Sequence, residues 1–420
     1  MQRVPTAYDF EAGLRDVDRR MVGFEPDSFS IEEAWEGSDS LGEENPIENV
    51  TKAQSRLQRR KKAERARVRA RKAEESGIPV KQVAWTRRSA IVQTNAVVST
   101  EATEVDLKVA EGGWVGSQKK AASKPSSDVQ TLLDKGFRLI KWDGREPKAI
   151  VDKVGRVIAV LAGMPGGSFQ EAVTDATAAF EAQGQRLASE GGGNLRGQFH
   201  QALAGFSHGG GTERPTATSS PTAYSHASKA LSSNPAVIRL ACFQNQAFKT
   251  YFPATHTYYE TKMLRIKQHH PSLKFPFVDA FPSAAFNMGP QTVCKPHKDA
   301  RNLAFGLCPV TALGDFDHQK GGHLVLEELE LVVEFPSGST ALIPSAVITH
   351  SNTTIGTNEK RYSFTQYASG TLFSYVENGM CTDKEFLREA SKKQKAEWKG
   401  ERELRWAKGL ALFPFIDSYQ

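Results

Sequence analysis

From Phe281 to Tyr367, apolar and polar residues alternate in short runs broken by Gly, Pro and Asp. Side chains of an extended strand point to opposite faces in turn, so a period of two marks a half-buried strand. The runs are Ala284 to Met288, Val293 to His297, Leu303 to Leu313, His323 to Leu326, Leu331 to Phe335, Thr340 to Ile343, Val347 to His350 and Arg361 to Tyr367. Eight such runs in one stretch predict a double-sheet jelly roll, a double-stranded β-helix.

Helical patterns flank this core, so the fold class is α+β with helices packed outside. Ser168 to Leu187 places Phe169, Val173, Ala176 and Phe180 at helical spacing. Asn234-Pro235 is a helix start, with Asn as cap and Pro in the first turn. A second helix from about Thr257 stops at His269, before Pro271. Upstream, Phe137 to Trp142 reads as a strand. Ala149 to Val151 and Arg156 to Ala162 flank the turn signal Asp152-Lys153-Val154-Gly155. Gly191 to Gly193 and Gly209 to Gly211 lack the Gly-Lys-Ser/Thr ending of a phosphate loop, and predict a flexible loop at a site mouth. After Met380 a basic helix with Phe386, Leu387, Trp398, Leu404 and Trp406 is expected to dock on the sheet, with a phosphate-contacting element as the alternative.

The formal net charge of +6 conceals an asymmetry. Residues 1–50 carry 4 basic and 13 acidic groups, whereas 51–72 carry 11 basic groups and one acidic group, Glu64. The first stretch reads as a disordered acidic tail, with a partner motif around Phe24 to Trp35 as the sharper alternative. The second is too poor in large apolar residues to bury a stripe. Its cluster Arg59-Arg60-Lys61-Lys62 reads as a nuclear-import tag or a phosphate-binding arm. Residues 77–127 read mostly as linker. The expected organisation is a mostly disordered tail and linker over 1–127 and one domain over 128–420, with its β-helix core at 281–379. The start lacks the apolar core of a signal peptide, and no apolar run approaches the roughly 18 residues of a membrane span. Cys242, Cys294, Cys308 and Cys381 form neither a Cys-x-x-Cys pair nor a zinc spacing, as expected of a reduced intracellular protein. The expected location is nuclear, otherwise cytoplasmic.

The chemistry-bearing residues sit on the strands. His297 and Asp299 are two apart, so a strand turns both to one side and Lys298 to the other. His350 ends a later run. Two imidazoles and a carboxylate can hold one face of an iron(II) ion and leave the other for a keto acid and oxygen. Arg361 follows His350 by eleven positions; its planar fork suits the far carboxylate of 2-oxoglutarate. Ser363 adds a hydroxyl on the same strand face. Asn287, on the neighbouring strand, is a third candidate contact for the keto acid. His323 competes weakly as a ligand, because its position suggests a sheet face. His318 reads as a turn residue, and His200, His208, His226 and His256 lack a carboxylate or second histidine at ligand spacing.

Taken together, His297-Lys298-Asp299-Ala300-Arg301-Asn302, Gly321-Gly322-His323-Leu324 and the run Phe335 through Tyr367 resemble the iron(II)- and 2-oxoglutarate-dependent dioxygenases. Within them the segment is most similar to the ten-eleven-translocation and J-binding (Tet/JBP) branch, especially its fungal members. The resemblance implies His297, Asp299 and His350 as iron ligands and Arg361 as the keto-acid clamp. It implies iron(II), 2-oxoglutarate and O2 as cofactor and co-substrates, with no catalytic side chain beyond the metal centre. It places Asn302 and the adjacent Arg301 at the substrate; Arg301 stands where better-known members often carry His. The implied reaction is oxidation of a methylated nucleobase, 5-methylcytosine in DNA first among them. A nucleic-acid partner and no membrane follow. The alternative is a dioxygenase of the same fold acting on a protein or a small molecule.

Overall fold

The computed structural model describes residues 84–118, 128–191, 193–277 and 280–419. The expected acidic tail, the 51–72 basic segment and the Phe24 to Trp35 motif lie outside the described residues. In chain order the strands are β1 (Val97–Ser99), β2 (Arg138–Ile140), β3 (Lys148–Val151), β4 (Val157–Gly163), β5 (His200–Ser207), β6 (Thr216–Ala217), β7 (Ser283–Met288), β8 (Cys308–Asp315), β9 (Leu324–Leu326), β10 (Leu331–Val333), β11 (Thr340–Ile343), β12 (His350–Asn352) and β13 (Lys360–Tyr367). They form a nine-stranded sheet, β1-β3-β4-β11-β8-β13-β7-β5-β6, and a four-stranded sheet, β12-β9-β10-β2. From β7 onward the chain places β7 and β8 in the large sheet, β9 and β10 in the small one, then β11, β12 and β13 in the large, small and large in turn. Leu324, Leu326, Leu331 and Val333 of the small sheet share one core with Ala312, Ala341 and Ile343 of the large one.

Helices α1 (Ala84–Gln93), α2 (Val129–Asp134), α3 (Phe169–Arg186), α4 (Thr222–Ser232), α5 (Pro235–Tyr251), α6 (Pro253–His269), α7 (Gly370–Glu377), α8 (Asp383–Glu389) and α9 (Lys392–Leu410) surround the sheets. α3 and α5 cover the outer face of the large sheet. Phe180 of α3 meets Phe286 and Tyr362 edge-on or tilted, with ring centroids 5.9 and 6.4 Å apart. Gln244 of α5 donates to Thr311 and to the Phe364 carbonyl at 2.9 and 3.2 Å. The Asn234 side chain accepts from the amides of Ala236 and Val237, so α5 starts where Asn-Pro predicts. Because Tyr362, Phe364 and Gln366 face the helices, strand parity turns Arg361, Ser363 and Tyr367 to the inner face. None of the helices among the described residues is long and apolar enough to cross a membrane.

Four expectations need correction. Val293 to His297 is not a strand: Pro296 lacks an N–H, the Lys295 amide donates to Arg196, and only His297 makes a ladder bridge. The run from Leu303 becomes a strand only at Cys308, because the Leu303 and Ala304 amides are drawn to Ala368 and Trp114. His350 begins a strand rather than ending one: the Val347 and Ile348 amides close a turn on Pro344. Finally, 84–118 is not linker. Ile91, Leu107 and Trp114 belong to the main core. Trp114 carries the Arg405 guanidinium 4.2 Å above its ring and leans on Phe305. Its apolar residues were too dispersed to show a period.

Trp114→Ala should lower the free energy of unfolding by about 3–5 kcal/mol, the usual result of truncating a buried Trp. A urea titration checks this, and a change within measurement error would return 84–118 to the status of a linker.

Candidate metal centre

The ligand loop is held by backbone bonds before any side chain acts. His297 and His350 exchange both amide bonds, at 3.1 and 2.9 Å, as a hydrogen-bonded antiparallel pair. The Asp299 amide donates to Ser345 at 2.9 Å, and the Asn302 amide to Asp299 at 2.8 Å. Gly116 donates to Ala300 at 2.8 Å. A Cβ on Gly116 would fall 1.8 Å from the Ala346 carbonyl oxygen, so only glycine lets this segment lie against the loop.

These bonds bring His297, Asp299 and His350 together, with one donor atom from each inside 4.8 Å of the others. Asp299 Oδ1 lies 3.8 Å from His297 Nε2, and Oδ2 3.9 Å from His350 Nε2. His297 Nδ1 faces the Lys295 carbonyl at 2.7 Å, and His350 Nδ1 faces Ile348 at 3.0 Å. A carbonyl only accepts, so each Nδ1 carries a proton and Nε2 is the ring nitrogen left to bind a metal. Burial drives the proton affinity of His297 down to about 3, with His350 pushing the same way against Asp299. Burial alone would raise Asp299; Arg196, with His297 and His350, outweighs it and holds the carboxyl at about 2. Two imidazoles presenting Nε2 and an ionised carboxylate are the donor set that suits iron(II). The fit is therefore good.

Arg361 is buried, 1% exposed, and makes no ion pair among the described residues. Its Nη1 donates to the Thr292 carbonyl at 2.9 Å, and its Nε has no partner. Burial lowers its affinity for the proton to about 10. Gly322, at φ +70°, makes room for this side chain: a Cβ there would lie 3.2 Å from Arg361 Cδ and 2.8 Å from the Phe316 ring. Cys294 lies within electrostatic reach of Arg361, Arg196 and Asp299. A buried guanidinium without a carboxylate is costly unless an anion meets it, and 2-oxoglutarate would supply one.

Asn287 and Ser363 are register partners on β7 and β13. Asn287 Nδ2 donates to Ser363 Oγ at 2.9 Å, and Asn287 Oδ1 accepts from Gln201 at 2.8 Å. The structure thus gives Asn287 a place behind Ser363. Asn302 is buried, and its amide donates inward to Ser345 and Cys308 at 3.2 and 3.3 Å. Arg301 is exposed beside it. His323 stays outside the cluster, bonded to Thr353 at 2.9 Å. Sequence reasoning missed Arg196, which donates to Asp299 Oδ1. It lies between Gly193 and Gly197 in the loop assigned to the site mouth, but a lone Arg in a glycine-rich stretch names no partner. Tyr367, at the end of β13 and within electrostatic reach of Arg196 and Asp299, was also missed, because a tyrosine ending a strand names no partner either.

No protein-family model matches the chain, and no curated protein does. Among solved structures, the chain is similar to NgTET1 in complex with 5mC DNA, at 17% identity and a TM-score of 0.34, covering 57% of this chain and 89% of that one. It is also similar to an oxidoreductase of the 2OG-Fe(II) oxygenase family from Burkholderia pseudomallei, at 16% identity and a TM-score of 0.27, covering 49% and 92%.

An exposed histidine titrates at 6.5, and His297 in the fold at about 3. The unfolded chain therefore binds the extra proton first, and the stability from a neutral His297 is present above 6.5 and lost as pH falls towards about 3. Between 6.5 and about 3 the metal-free protein should lose up to about 1.4 kcal/mol per pH unit from this group. His297→Asn should show a shallower decline between pH 7 and 5 in denaturant titrations; an unchanged slope would contradict the burial of a neutral imidazole.

Proposed function

We propose that this chain is an iron(II)- and 2-oxoglutarate-dependent dioxygenase that oxidises a methylated nucleobase, with 5-methylcytosine in DNA the leading substrate. One observation carries the enzyme reading: a compact His297, Asp299 and His350 cluster together with a buried, unpaired guanidinium at Arg361. The repeated crossing of the chain from β7 to β13 between two sheets, with His297 bridging to β12 between β7 and β8, supports the double-stranded β-helix reading.

When bound, iron(II) and 2-oxoglutarate supply the oxidising chemistry, in which O2 is consumed, the keto acid loses CO2 and a C–H bond gains oxygen. The chain supplies placement and charge. His297, Asp299 and His350 would hold the metal. Arg361 would hold the far carboxylate of the keto acid. Ser363 Oγ accepts from Asn287, which leaves its O–H to donate to that carboxylate. Asn287 and Gln201 aim the hydroxyl. Arg196 takes Asp299 Oδ1 and steadies the carboxylate.

The substrate class rests on the motif run from His297 to Asn302 and from Phe335 to Tyr367. A base inside a duplex is out of reach of a buried metal, so a DNA substrate would be flipped out. Arg301 is exposed next to the metal loop and available to it. Asn302 acts from behind, tying the loop to Ser345. A nuclear location goes with this substrate and with the Arg59 to Lys62 cluster.

The test is incubation of the full chain with iron(II), 2-oxoglutarate and oligonucleotides carrying 5-methylcytosine. Oxidised base and stoichiometric succinate are expected. Keto-acid turnover stimulated by peptides or small metabolites but not by DNA would reassign the substrate, and no turnover at full iron occupancy would overturn the enzyme reading. Arg361→Met separates binding from folding. It should weaken 2-oxoglutarate affinity by about 30-fold or more, equivalent to ~2 kcal/mol or more, by calorimetry. Its melting temperature should be unchanged or higher, because a buried unpaired charge is gone.

A further inference from the structure

The residues beside the ligands point to the opposite side of the loop and strand, and there they converge. Lys298 stands between His297 and Asp299; Thr349 precedes His350. Lys298 Nζ lies 2.9 Å from Glu328 Oε1. The Thr349 amide donates to Glu328 Oε2 at 2.6 Å, and the Thr349 hydroxyl to Oε1 at 2.9 Å. One carboxylate therefore takes three donors from the two segments that carry the ligands. The Lys298 side chain is only 4% exposed and that of Glu328 11%. Glu328 is itself held: it lies in the 3-10 turn Glu327–Leu329 between β9 and β10, and the Glu327 amide donates to the Thr349 carbonyl at 2.9 Å. Glu330 closes that turn at φ +51°, with its amide on the Glu327 carbonyl.

Such an enclosed ion pair is a weak source of stability, since the desolvation of both charges offsets their attraction. Its better-attested use is to set register. We propose that Glu328 is a positioning residue for the metal centre, clamping the His297 loop to the His350 strand and thereby setting the distance between the two imidazoles. This rests on the metal-centre reading above. The backbone pair between His297 and His350 fixes the height of the ligands along the strands. On one side of that pair the Asn352 amide adds a backbone bond to the Cys294 carbonyl at 3.1 Å; on the other side the Glu328 clamp resists their separation.

The test is cobalt(II) binding by the full-length protein, read from visible absorption, with thermal stability measured alongside. Glu328→Ala should weaken cobalt(II) affinity about 10-fold or more, the usual effect of losing an outer partner of a metal site. It should also alter the ligand-field bands of the bound ion. Glu328→Gln, which keeps the shape and one acceptor oxygen, should fall between wild type and Glu328→Ala, and decides the matter if the alanine variant does not fold. Adding Lys298→Met to Glu328→Ala should weaken binding little further, because the two act as one unit. A lower melting temperature with unchanged cobalt(II) affinity and spectrum would overturn the proposal and leave Glu328 as ordinary scaffolding. If wild type binds cobalt(II) no better than His297→Ala, the metal-centre reading itself fails and takes this proposal with it. If His297→Ala loses cobalt(II) and both Glu328 variants bind as wild type, only the clamp fails.

Discussion

The two amide bonds exchanged by His297 and His350 are the constraint on which the site depends. Strand side chains alternate with a period of two, so a slip of one residue in this pairing would turn one imidazole to the opposite face. With the pair in register, Asp299 follows to the same side and Lys298 and Thr349 to the other. The rest of the molecule braces that pairing. Gly116 and Trp114 bond to the loop from one side, Ser345 and Ala368 from another, and α9 packs behind them through Arg405 and Gly409.

The electrostatics divide the site in two. Around the ligands, charge is balanced: Asp299 stays ionised because Arg196 meets it, and His297 stays neutral because it is buried. At Arg361 it is not balanced, since the guanidinium has neither an acidic partner among the described residues nor a bond to its Nε. A buried charge is costly unless it is paired, so a buried cation left single marks a place for an anionic ligand. Gly322 and Phe316 shape that place, which gives the Gly321-Gly322 turn a function beyond leading into β9.

Period-two runs and ligand spacing were legible in the sequence because both are local. Arg361, Ser363 and Asn287 came out on one face of adjoining strands because register follows from alternation. What was not legible arises between distant segments. Arg196 reaches Asp299 across 103 positions, and Glu328 joins Lys298 to Thr349 by folding between them. Neither has a sequence signature. The strand limits failed where a competing bond won: Pro296 removed a donor, and the turn on Pro344 moved His350 from the end of a strand to its start. Asn302 carried a role by resemblance, and the structure turns its amide inward instead.

X-ray absorption at the iron edge of the iron(II)-loaded protein tests the central claim most directly. The account predicts nitrogen and oxygen donors only, with the scattering pattern of two imidazoles that falls to one in His350→Ala. Sulfur in the coordination sphere, from Cys294 or Cys308, or a spectrum unchanged by His350→Ala, would contradict it.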